Sequence, residues 1–302
     1  KVISVAGQPR EHDAIRDELM QLSDEWWPLE VSDIEAVAER IKDSSAQLLI
    51  DLGGHTADNF PVLLSRRLAS VQATYLGFYG PTYAKCCDWW IVDNALEPRL
   101  KNSYPGAEKL WALPGPSLCY VPSLHGLPEL EEIHYQEPNH LVFGSFNHTR
   151  KLTRASQKRF GAVLHANPDA VLQFRSHSFH DPAVRRHFLI RLQDMGIKPH
   201  QLQPLPYAPS SSAAMSDYGR IHLHLDTFPV SGTTTTLDSL AMGIPVLTCP
   251  TSYYAGTISS AILQHVGLAD HICSDPDQLP SHARWLAERY RTSASRRALA
   301  NQ

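Results

Sequence analysis

Four consecutive threonines, Thr233 to Thr236, follow a Ser231-Gly232 step and precede Leu237, Leu240 and Met242 at helical spacing. The Ser-Gly step lets the backbone turn tightly. Gly243 and Pro245 then stop the helix, Gly just past its end and Pro beyond it. The first N–H groups of such a helix lack internal partners and sit at the positive end of its dipole, so its start attracts an anion such as a phosphate. Hydroxyls of Thr233, Thr234 and Thr235, beside Gly232, add donors. Asp238 falls about one turn into the helix, where its carboxylate can accept from the hydroxyls of a ribose. The plainer reading is that the threonines cap the helix and Asp238 favours its positive end.

Two further positions carry chemistry. Lys151 follows an apolar strand over 140–146 and precedes a helix, a place where a point charge can neutralise a leaving diphosphate. His148 lies in the same loop; a solvated basic loop with Arg150 and Arg154 is the plainer account. His55 closes the run Asp51-Leu52-Gly53-Gly54-His55 at the end of a strand over 48–52. It can act as base, donor or phosphate partner, although a histidine there is also a common structural residue.

The elements that must position these residues alternate. Strands are expected over 2–6, 48–52, 71–76 and up to Asp93, with a polar turn over 7–13 and helices over 13–22, from a cap at Ser32 or Asp33, and over 59–67. Residues 120–139 are proline-rich and acidic and read as a connection. Beyond them come strands over 140–146, 170–174, 203–205 and 246–249. Helices are expected over 156–166, 182–195, after Thr233, and over 279–300. Such alternation with short joins points to parallel sheets wound by helices, which bind ligands outside the carboxyl ends of their strands.

Composition narrows the function classes. The 302 residues suffice for two cores, and 43% hydrophobic with 19% charged residues suits a globular chain. A net charge of −4 gives no basic field for nucleic acid. No apolar run reaches the roughly 18 residues of a membrane span. Five cysteines make neither a disulfide framework nor a zinc spacing, which fits reduced thiols in the cytoplasm. The chain enters an apolar strand directly at Lys1, without initiator Met or signal peptide, and is expected to be a piece of a longer protein.

The run DTFPVSGTTTTLDSLAMGIPV over 226–246 resembles the donor-nucleotide segment of the protein O-glycosyltransferases related to O-GlcNAc transferase and SPINDLY (glycosyltransferase family 41). FGSFNHTRKL over 143–152 and LSRRLASVQATYLGFYGPT over 64–82 are similar to two further family segments. The resemblance implies an α/β GT-B fold, two Rossmann-like lobes with a donor cleft between them. These would be residues 1–125, a linker at 126–139, and a nucleotide-sugar-binding lobe at 140–302. It implies an inverting, metal-independent transferase without a cofactor, moving GlcNAc by family default from UDP-GlcNAc, or fucose from GDP-fucose, to a protein or peptide Ser/Thr. Lys151 would face the diphosphate and His148 lie close to the donor. Ala208 would offer backbone groups to the base, and Asp238 would hold the ribose. Gly54, Gly77, Gly80 and Thr82 would line the cleft, with His55 working near the acceptor. Tetratricopeptide repeats and a missing front strand unit would lie upstream. Thr257 stands where the family usually has Arg, and Ser210 to Ala213 replace a Lys and a His. A small-molecule or glycan transferase and a non-catalytic nucleotide-binding module are the rival readings.

Overall fold

The computed structural model describes residues 1–7, 14–29, 34–56, 60–121 and 126–301. Of the turn expected at 7–13, Gly7 ends a strand, while residues 8–13, the cap at Ser32 or Asp33 and the helix start at Asn59 lie outside the described residues. The chain forms two compact units, residues 1–92 with 104–113, and residues 93–103 with 114–302.

In the first unit, β1 (Ile3–Gly7) pairs in parallel with β2 (Glu25–Leu29) across α1 (Ala14–Leu22). β2 was not expected; its EWWPL run gives no clean alternation. α2 (Ile34–Asp43) buries Val37, Ala38 and Ile41 along one stripe. They cluster with Trp27, Leu63 and Leu68, and Leu49 of β3 (Leu48–Asp51) packs against them. α3 is a single turn, Pro61–Leu64, rather than a helix to Arg67. The N–H groups of Leu68 and Ala69 donate instead to the buried Gln72 Oε1, at 2.7 and 3.2 Å. β4 (Val71–Thr74) and β5 (Trp89–Asp93) continue the sheet in parallel, with Leu48 opposite Val71 and Ala73 opposite Trp89. With β6 (Lys109–Leu113) the order is β3-β4-β5-β6, a sheet separate from β1-β2. β3 lies at one end of that order, and Leu48, Ile50 and the following Leu52 are exposed.

The second unit opens with α4 (Glu97–Leu100). Its sheet has the order β11-β10-β7-β8-β9, all neighbours parallel. The strands are β7 (Val142–Ser145), β8 (Val171–Phe174), β9 (Leu202–Pro204), β10 (Leu223–Leu225) and β11 (Val246–Leu247). β7, β8 and β10 are buried at every residue, as expected of parallel strands covered on both faces. One face, with Phe143, Leu172 and Leu223, packs on Phe160 and Leu164 of α5 (Arg154–Ala166) and Leu286 of α10 (Leu279–Arg289). The other face, with Val142 and Val171, packs on Met215, Tyr218 and Met242. Burying each such large side chain contributes about 2 kcal/mol. α6 (Pro182–Gln193), α7 (Ser211–Ser216), α8 (Thr234–Ala241), α9 (Ile258–His265) and α11 (Ser293–Ala300) complete the unit.

The single helix expected over 279–300 is two, α10 and α11. Thr292 breaks it by capping α11, its hydroxyl accepting from Ser295 N at 3.2 Å. The break lets Arg296 enter the interior fully buried, donating to Ile221 O at 3.1 Å and Gln136 O at 2.8 Å. Residues 126–139, read from sequence as a connection, pack within this unit. Ile133 is buried in its core, Tyr135 donates to Met242 O at 3.0 Å and Gln136 N to Gly219 O at 2.8 Å.

Candidate functional site

β7 and β10 are neighbours inside the second sheet, so the loops at their carboxyl ends emerge side by side. After β7 the chain makes a short 3-10 turn at Thr149–Lys151. His148 caps it, its Nδ1 accepting from Arg150 N at 3.1 Å. The imidazole is exposed, and partial desolvation together with the charge of Arg150 lowers its pKa. The turn aims Lys151 at the next loop, where Nζ donates to Ser231 O at 2.7 Å. The ammonium therefore stands one residue before Gly232 and two before Thr233, at the mouth of α8.

The four threonines divide their work. Thr233 has φ −136° and ψ −85° as the residue before α8, and its Oγ1 is buried without a hydrogen-bond partner. Thr234 is exposed. Thr235 donates to Asn147 Oδ1 at 2.9 Å, joining the two loops. Thr236 is fully buried and shares a hydrogen bond of 2.8 Å with Ser259. An orphaned hydroxyl, a helix start and a lysine thus share one place, the arrangement that suits a phosphate.

Three residues that the sequence reading passed over build this place from beneath. Asp226, at the end of β10, accepts from Gly232 N at 2.7 Å and Thr227 N at 2.8 Å through Oδ1, and from Thr248 Oγ1 at 2.7 Å through Oδ2. Burial pushes its pKa up while these donors oppose the shift. His224, inside β10, is also buried, and burial pushes it down to about 3, so it is neutral. Its Nε2 faces Phe146 N at 3.3 Å and Asn147 Nδ2 at 3.4 Å, both donors. The proton is accordingly assigned to Nδ1, which meets Ser239 Oγ at 2.5 Å. Asn147, 1% exposed, links this histidine to Thr235. The available signals were a polar residue at each strand end and a histidine within an apolar strand.

Asp238 is 6% exposed on α8, and its Oδ1 accepts from the hydroxyl of Tyr120 at 2.6 Å. Ala208 is half-buried in the loop after β9, next to the exposed Tyr207, whose ring meets His177 edge-on at 4.9 Å. Ser210 caps α7 through Ala213 N at 3.1 Å. Thr257 is fully buried and donates to Tyr254 O at 2.8 Å.

The remaining sequence candidates lie in the first unit. His55 Nε2 is 2.8 Å from Thr82 O and its ring meets Phe78 edge-on at 5.1 Å. Thr82 is buried and hydrogen-bonded to Glu108 through both its N–H and its hydroxyl. Gly77 abuts Leu52 O, where a Cβ would sit 1.9 Å away, and Gly54, at φ +54°, abuts Phe78. Gly80 packs near the same ring. These residues form one loop cluster closed by His55. Among the described residues, no three His, Cys, Asp or Glu side chains are grouped to hold a metal ion.

Residues 130–298 match the glycosyl transferase family 41 model. The chain belongs to glycosyltransferase family 41. Within the family it is 31% identical over 273 residues to the probable UDP-N-acetylglucosamine–peptide N-acetylglucosaminyltransferase SPINDLY of Solanum lycopersicum, covering 90% of this chain and 29% of that protein. It is 29% identical over 263 residues to the SPINDLY protein of Arabidopsis thaliana, covering 87% of this chain and 29% of that protein. The chain thus spans less than a third of the length of these curated relatives. A solved structure of an O-GlcNAc transferase from Thermobaculum terrenum, a lysine-to-methionine mutant, is 26% identical with a TM-score of 0.86, over 99% of this chain and 56% of that one. A glycosyltransferase from Rickettsia africae shares the fold alone, with 10% identity and a TM-score of 0.52 over 95% of this chain and 86% of that one. The α/β GT-B class expected for a family 41 member is borne out by the parallel sheets and by this likeness. No helix among the described residues is long and apolar enough to cross a membrane.

Proposed function

We propose that this chain is the nucleotide-sugar-binding and catalytic region of a family 41 glycosyltransferase that moves a sugar to a protein Ser or Thr. The observation that carries the reading is Lys151 Nζ at 2.7 Å from Ser231 O, beside the orphaned Thr233 hydroxyl at the start of α8. In the reaction an acceptor hydroxyl attacks the anomeric carbon from the face opposite the leaving group. The bond from that carbon to the phosphate oxygen breaks, and the acceptor proton passes to a base. The nucleoside diphosphate departs with its electron pair. Lys151 and the N–H groups of Thr234 and Thr235 meet the charge that grows on the diphosphate. Asp238 holds the ribose, Ala208 faces the base, and His148 borders the sugar side. His55 is assigned to the acceptor side.

UDP-GlcNAc is the default donor, supported by the names of the plant relatives, and GDP-fucose is the alternative. A protein or peptide acceptor is supported by the same names. No cofactor is assigned, and the diphosphate charge is met by protein groups rather than by a metal. Repeats that bind the acceptor belong elsewhere in the full protein. Five cysteines without a disulfide fit a cytoplasmic site.

The test is titration and turnover of the full-length protein with UDP-GlcNAc and GDP-fucose and a Ser/Thr peptide. Lys151→Ala is expected to lower kcat/KM by about 10²-fold, about 3 kcal/mol of transition-state stabilisation, with an unchanged melting temperature. Nucleotide binding that is indifferent to Lys151, with no turnover of either donor, defeats the reading.

A further inference from the structure

A buried carboxylate is useful to a ligand only if its plane is fixed. Asp238 sits on α8 one turn beyond the helix start, 6% exposed. Its Oδ1 accepts a hydrogen bond of 2.6 Å from Tyr120, a residue 118 positions earlier in the chain. Tyr120 belongs to the segment that begins the second unit's main run, residues 114–302. It approaches α8 from outside the helix's own loop system. No local rule demands the contact: α8 needs no such partner to form, and Tyr120 lies in no helix or strand.

We propose that Tyr120 is a positioning residue for ribose recognition, holding the Asp238 carboxylate in the plane from which it accepts the sugar hydroxyls of the donor nucleotide. The inference rests on the reading of Asp238 as the ribose acceptor and extends it to a residue outside the motif. Two vicinal hydroxyls present two donors at fixed separation, and a carboxylate serves them only over a narrow range of its terminal torsion. A phenol bonded to Oδ1 narrows that torsion before the ligand arrives, which lowers the ordering cost of binding. Burial and the hydrogen bond to Asp238 both raise the pKa of Tyr120, so the phenol keeps its proton and remains a donor. Tyr218, fully buried beneath α8 with its hydroxyl 3.5 Å from Thr235 O, gives the same helix a second aromatic support.

The experiment measures binding of UDP and GDP, and of their 2′-deoxy and 3′-deoxy forms, to the full-length protein and to Tyr120→Phe, Asp238→Asn, the double variant and Lys151→Ala. Melting temperature is recorded for each. Tyr120→Phe removes one oxygen and keeps the ring, so folding is retained. The expected result is about a tenfold loss of affinity for the ribonucleotide in Tyr120→Phe. The deoxy forms lose less than about twofold, and Tyr120→Phe adds nothing once Asp238 is Asn. With turnover, KM for the donor rises and kcat stays. Equal losses for ribo and deoxy ligands, or no loss at all while Lys151→Ala still weakens binding, overturn the role of Tyr120 alone. Binding unmoved by both Lys151→Ala and Asp238→Asn overturns the site reading and this inference together.

Discussion

Replacing Gly232 by alanine should damage the site and the fold together, and the structure supplies the size of the effect. A Cβ on Gly232 would lie 2.5 Å from Thr236 Oγ1, 2.8 Å from Thr235 Oγ1 and 3.2 Å from Asp226 Oδ1. The residue's φ is outside the left-handed region, so the cost is contact rather than backbone strain. Both threonine hydroxyls must retreat by roughly half an ångström or more to reach ordinary contact. Thr236 would then lose its 2.8 Å bond to Ser259, and Thr235 its 2.9 Å bond to Asn147. β-branched side chains in a helix have little rotamer freedom with which to escape. Two lost hydrogen bonds at about 1 kcal/mol each, with about 1 kcal/mol of overpacking, give about 3 kcal/mol. For a unit of this size that is a fall in Tm of roughly 6–12 °C. The helix start would also turn away from Lys151, so nucleotide affinity should drop at least about tenfold. Thermal unfolding and calorimetric titration with UDP and GDP measure both. A Gly232→Ala protein with wild-type Tm and wild-type affinity would show that neither threonine is displaced by the added methyl group.

Thr234 and Thr236 should separate binding from stability. Thr234→Val should weaken nucleotide binding with little change in Tm, and Thr236→Val should cost about 1 kcal/mol of stability and bind nearly as before; the opposite pattern would reverse their assigned roles. Acid should destabilise the second unit through buried histidines, since burial pushes His224 down to about 3 and His222 and His271 to about 4. The unfolded chain takes up these protons near pH 6.5 and the folded chain does not. Stability is therefore full above about pH 6.5 and falls below it towards each folded value, by about 1.4 kcal/mol per pH unit per group. A urea midpoint equal at pH 7 and pH 5 would exclude this. Arg296→Met should lower stability by about 2–4 kcal/mol, because the carbonyls of Ile221 and Gln136 lose a charged donor inside the core. An unchanged or higher Tm would show that the desolvation of the guanidinium outweighs its bonds.

Much of the candidate site was legible because its signals are local. The turn at Ser231-Gly232, the helix start at Thr233 and the stop at Gly243 all follow from neighbouring residues, and α8 with β11 fell where they placed them. Lys151 was legible as a basic residue at a strand end. What was not legible joins residues distant in sequence. Asn147 meets Thr235 across 88 positions and His224 across 77. Only the parallel order β10-β7 makes those contacts possible. Asp226 carried no assigned role in the sequence, because its three donors become visible only once β10, β11 and the turn are assembled. Among the elements, β2 was missed for want of alternation. α10 and α11 were merged because apolar spacing continues past the Thr292 cap, which nothing in periodicity marks.

The placement of β3 has a practical consequence. No described strand pairs on its outer side, and Leu48, Ile50 and Leu52 stand outward beside that open margin. A margin of this kind is adhesive, since another molecule can extend the ladder while its side chains meet greasy neighbours. Association in concentrated preparations of this chain is therefore expected to run through these three residues at the rim of the first unit, and a charged side chain at Ile50 is the smallest alteration that would blunt it.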